Sequence, residues 1–172
     1  MYRELSLIAL LACLPNGRAL ADPIHAIADG AYWHHGSDWI FPQAIGAYAR
    51  VGIPQDVAGS DDAVAHYACV ENGARYTASV DVYRGTSAAA GELEARPTER
   101  SSTDTAFPVS TTRALSGTRQ IYEPDKSSGP ALVGVYFIDA GEWRVRIRIT
   151  GSQLPVMDSF VRDQRWETLG NH

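Results

Sequence analysis

Tyr32-Trp33-His34-His35-Gly36-Ser37-Asp38-Trp39 packs two imidazoles, a hydroxyl and a carboxylate into one short segment. Two chemistries use such groups. His34, His35 and Asp38 can ligate a metal, or His and Asp can flank Ser37 as base and orienting partner of a nucleophile; either would make the protein a metal-dependent or His/Asp-assisted hydrolase. The spacing argues against both. Adjacent histidines on an extended strand point to opposite sides, no His-x-x-x-His or Cys pair supplies further ligands, and a catalytic triad draws its members from separate elements. The segment therefore reads as a surface loop anchored by its aromatic residues. It leaves Trp33, His34, His35 and Asp38 as candidates for contacting a ligand or partner, with no catalytic residue, metal or cofactor expected.

A second constellation lies in Trp143-Arg144-Val145-Arg146-Ile147-Arg148-Ile149. Side chains two apart on a strand share a face about 7 Å apart, so Arg144, Arg146 and Arg148 form a row of planar, fork-shaped cations, expected to run beside Tyr136. Such a patch suits a carboxylate, a phosphate or an acidic protein partner. Alternating charge is also the ordinary way to solvate an outer strand face, with carboxylates on a neighbouring strand as partners. Cys69 is the lone cysteine past the amino-terminal region and is expected to be buried and inert, as free cysteines commonly are.

Two hairpins must position these groups. Asn72-Gly73 is the dipeptide preferred in a type I′ turn, which needs positive φ at both central residues. Pairing Glu71 with Ala74 sets Cys69 opposite Tyr76, Tyr67 opposite Ala78, Ala65 opposite Val80 and Ala63 opposite Val82, an apolar face. His66 opposite Ser79, Ala68 opposite Thr77 and Val64 opposite Asp81 make the wetter one. The second hairpin runs from Val133–Ile138 through Asp139-Ala140-Gly141 into Glu142–Ile149. A two-residue loop would place Trp143, Val145 and Ile147 on the face of Ile138, Tyr136 and Gly134. A three-residue loop places them beside Val133, Val135 and Phe137, burying three apolar residues opposite three others, and packing favours it. Tyr136 is then expected on the outer face with the arginines.

Thr112–Glu123 reads as a strand that completes a three-stranded meander. Thr86 can cap a helix over 87–95, and Pro155 opens a final helix to Trp166. Trp39–Phe41 and Ala47–Ile53 read as short strands. The expected order is β-β-β-β-α-β-β-β-α, an α+β domain of mostly antiparallel sheet, built from hairpins and a meander, with two helices packed on it. That order, with the Arg-bearing hairpin and a closing helix containing Ser159-Phe160, resembles the PsbP-like α/β/α sandwich over roughly residues 38–168. Trp39-Ile40-Phe41-Pro42 is also similar to a Trp-x-Phe-Pro segment of short exported bacterial proteins of unknown function. The resemblance implies a binding or accessory module and carries no catalytic residues.

The first 21 residues read as an export signal: a short polar start, an apolar run over Leu5–Leu14, and Ala19-Leu20-Ala21 before the expected cut. A single domain over residues 22–172 follows, periplasmic or secreted. The alternative is lipid anchoring through Cys13 after Leu10-Leu11-Ala12. No apolar stretch reaches the roughly 20 residues of a transmembrane helix. The 172-residue chain has a formal charge of −5, which becomes −6 once Arg3, Arg18 and Glu4 leave with the signal. That balance disfavours general nucleic-acid binding, which needs clustered cations. The expected function is an exported, soluble, non-catalytic module for a small anionic ligand or an acidic protein partner. Nothing in the sequence specifies an oligomeric state.

Overall fold

The computed structural model describes residues 23–57, 61–85, 105–109, 115–123 and 131–169. The expected signal, its Cys13 alternative and the helix expected over 87–95 lie outside them. Asn72 and Gly73 take φ of 52° and 75°, both left-handed, and close a type I′ turn between β7 (Ala63–Glu71) and β8 (Ala74–Arg84). Cys69 pairs with Tyr76, Tyr67 with Ala78, Ala65 with Val80 and Ala63 with Val82, the register expected from the sequence. All eight of these side chains are buried.

The second hairpin departs from expectation. β11 (Leu132–Ala140) and β12 (Trp143–Gly151) are joined by a two-residue turn, Gly141-Glu142, with positive φ at Gly141 alone, the pattern of a type II′ turn. Ala140 pairs with Trp143, Ile138 with Val145, Tyr136 with Ile147 and Gly134 with Ile149. The three-residue loop is thus overturned, and Tyr136 moves from the arginine face to the opposite one. Gly141 supplies the one strained φ the shorter turn needs, so no bulge is required. Burying Tyr136 also brings its hydroxyl to a carboxylate, described below.

The hairpins join where β8 pairs with β12. With β4 (Ala44–Ile45), β5 (Tyr48–Arg50), β9 (Thr105–Pro108) and β10 (Ser116–Tyr122) they form one sheet in the order β4-β5-β7-β8-β12-β11-β10-β9, with β6 (Gln55–Asp56) added to β7 beside β5. A second sheet holds β1 (Ile24–Ala26), β2 (Tyr32–His34) and β3 (Trp39–Phe41). Every pairing in both sheets is antiparallel.

One face of the large sheet carries the core. Helix α1 (Leu154–Arg162), with Pro155 in its first turn, buries Met157, Asp158, Phe160 and Val161. Phe160 packs 4.5 Å from Tyr48 and 5.4 Å from Tyr67, ring centre to ring centre. The small sheet lies on the same face: His34 meets Trp143 at 5.4 Å, and Trp39 meets Trp166 of the C-terminal turn at 5.2 Å.

The fold class expected from the sequence, α+β with two helices packed on a sheet, is therefore corrected. The described residues hold a single α-helix against twelve strands, closer to a mostly-β architecture. Strands β1, β2, β4, β6 and β9 have two to four residues each, too few for alternation to register in the sequence. β6 and β9 are strands because the longer β7 and β10 offer them backbone partners, whereas β1, β2 and β4 pair with strands of three residues.

Candidate functional site

The 33–39 segment is a tight turn between β2 and β3, and it splits its reactive groups. His34 and Ser37 are completely buried, with His34 Nδ1 and Ser37 Oγ 2.7 Å apart, and the Trp39 backbone N–H donates to the same hydroxyl at 3.2 Å. A Cβ on Gly36 would stand 3.1 Å from the Trp143 ring, so the turn is pressed onto the core. His34 Nε2 lies against the Asp61 backbone without a well-formed hydrogen bond. Burial pushes this imidazole below its ordinary value, against the pull of Asp61 and Asp62. His35 is exposed on the other side, edge-on to Trp33 at 4.9 Å, while Trp33 Nε1 donates to Asp38 Oδ1 at 3.2 Å. The two histidines diverge as strand geometry requires, and Ser37 Oγ is sealed from substrate.

The arginine row is also divided. Arg144 pairs with Asp139 at 3.0 Å on the surface. Arg146 donates through Nε to Asp81 Oδ2 at 3.1 Å, and another guanidinium nitrogen stands at the same distance from that oxygen. Both of these side chains are mostly enclosed, at 19% and 11% exposure. Burial pushes the Asp81 carboxyl above the usual carboxylate range, and Arg146 draws it back only in part. Tyr136, on the helix face, donates to Asp158 Oδ1 at 2.7 Å, while Arg119 reaches Asp158 Oδ2 at 2.7 Å and Arg162 approaches at 3.7 Å. This network fastens α1 to the sheet.

Arg148 differs from its neighbours. It is exposed, and among the described residues it has no ion-pair partner. Directly across β12, β8 and β7 it stands in line with Ser79 and His66, and the next row is Thr150, Thr77 and Ala68. These side chains line a groove of about 380 Å³ on the face opposite α1, together with Arg75. Arg75 is likewise exposed and without an ion-pair partner among the described residues. It precedes Ser79 by four positions, about 13 Å along the strand, so its long side chain and that of Arg148 can converge above Thr77. Two guanidiniums, an exposed imidazole and the Thr77 and Thr150 hydroxyls face one opening, while the Ser79 hydroxyl donates to Asp81 Oδ2 at 3.5 Å. Such a set holds a carboxylate or phosphate through charge-assisted hydrogen bonds.

No protein-family model, characterised protein or solved structure matches this chain.

Of the residues singled out from the sequence, only Arg148 reaches the groove. Trp33, His34, His35 and Asp38 belong to the small sheet and its turn, and Tyr136 lies across the large sheet. Sequence reasoning passed over Arg75, His66, Thr77, Ser79 and Thr150. The Asn72-Gly73 register already placed His66, Ser79 and Thr77 on one face, and Arg75 follows from alternation. The missing step was the pairing of β12 with β8, which brings Arg148 to them.

Proposed function

We propose that the protein is an exported, non-catalytic binding module that takes an anionic ligand in the groove between β7, β8 and β12. One observation carries this reading. On an acidic chain, Arg75 and Arg148 line one groove and neither has an ion-pair partner among the described residues, whereas Arg144 and Arg146 are paired; the Asp81 carboxylate beside Ser79 is held by Arg146. Two cations without ion-pair partners beside the Thr77 and Thr150 hydroxyls favour an external anion as the partner. The signal-like first 21 residues support a location in the bacterial envelope or outside the cell.

Calorimetric titration with inorganic phosphate and short carboxylates tests the proposal. Binding is expected to weaken as salt rises, to be lost in R75Q/R148Q, and to persist in R144Q. Absence of binding to any anion, or binding unchanged in the double variant, overturns it.

A further inference from the structure

The groove is bordered on one side by side chains of the opposite character. Val70 pairs across the strands with Arg75, and Ala68 with Thr77, so both stand on the groove's own face. Ala49 pairs with Ala68 on the far side of β7, and the Val51 N–H bonds the His66 carbonyl, carrying the strip onto β5 and the residue after it. Val70 is 72% exposed and Val51 58%, among the most exposed large apolar residues described. Val51 and Ala68 line the groove itself.

We infer that the ligand is a single-chain anionic amphiphile, with its carboxylate or phosphate head between Arg75 and Arg148 and its aliphatic chain along Ala68, Val51 and Val70. The inference rests on the groove reading above and adds the chemistry of the remainder of the ligand. Charge complementarity places the head, and the adjoining apolar strip gives the chain a surface that covers it from water. A volume of about 380 Å³ lies at the small end of ligand sites and suits one chain rather than a lipid surface.

The test compares acetate, hexanoate, decanoate, decanol and decyl phosphate with the purified protein, below their micellar concentrations. Affinity is expected to rise with each methylene laid on the strip, by up to about fourfold for full burial. Decanoate and decyl phosphate should both bind, and decanol should bind much more weakly. In V51T/V70T the chain-length dependence should flatten, whereas R75Q/R148Q should lose acetate and decanoate alike. Both positions are exposed and threonine keeps the branched Cβ, so circular dichroism should match wild type.

Anion binding that is indifferent to chain length overturns the amphiphile and leaves the groove reading standing. Absence of binding by every anion removes both. Decanol binding as tightly as decanoate, or capture by phosphatidylglycerol vesicles without binding of monomeric decanoate, likewise overturns the inference.

Discussion

Replacing Arg146 by glutamine should destabilise the protein far more than the same change at Arg144 or Arg148, although the three alternate along one strand. Arg146 places two nitrogens on Asp81 Oδ2, and the pair is mostly enclosed. Truncating it leaves Asp81 buried without its cation, at a cost of about 3 kcal/mol, the lower end for breaking a buried pair. Arg144 and Asp139 are 40% and 62% exposed, so R144Q should stay within about 0.5 kcal/mol, as should R148Q. Urea unfolding followed by tryptophan fluorescence at pH 7 reads all three. In a double-mutant cycle, R146M/D81L should recover much of the loss of R146M, because the stranded charge leaves with its partner. The pH dependence has a fixed sign. A buried carboxyl with a folded pKa raised above the unfolded one gains stability below the unfolded value and loses it as pH rises through the folded value. The R146Q deficit should therefore shrink on acidification. An R146Q variant as stable as wild type, or an R148Q variant equally damaged, would refute this division of the row.

His34 has a folded pKa depressed by burial below its ordinary 6.5, so its stabilising contribution is complete above that pH and lost as pH falls through the lowered value. Melting temperatures between pH 8 and 5 should decline less steeply in H34Q, and an unchanged slope would assign the decline to other groups. Burial raises the Cys69 thiol, so native labelling at pH 8 should be slow and accelerate on unfolding; rapid native labelling would contradict its place on the helix face. Intact mass of the exported protein should correspond to cleavage after Ala21, and a lipid-modified Cys13 at the amino terminus would replace that site.

The Asn72-Gly73 hairpin was legible because its turn is specified by two adjacent residues and only one of its faces is uniformly apolar. β11 was not, since Val133, Val135 and Phe137 on one side and Tyr136 and Ile138 on the other offer two comparable apolar faces. A strand covered on both sides reads as a continuous run, and packing preference within the hairpin cannot choose its register. The deciding contacts were Asp158 for Tyr136 and Val80 and Val82 for Ile147 and Val145, all distant in sequence. For the same reason the divergence of His34 and His35 followed from local geometry, while the groove required knowing which hairpin lies beside which.

The seam between β8 and β12 also orders events in time. A chain that emerges amino terminus first can close the Asn72-Gly73 hairpin early, with Arg75 and His66 already aligned. Arg148 belongs to the last strand among the described residues, and long-range strand pairing is the slow kind. Until that strand docks, the groove lacks one of its two guanidiniums and Asp81 lacks Arg146. On the proposed reading of an exported module that binds an anion, a molecule still being threaded across a membrane would carry no cargo, and capture would begin only once β12 had been released and docked.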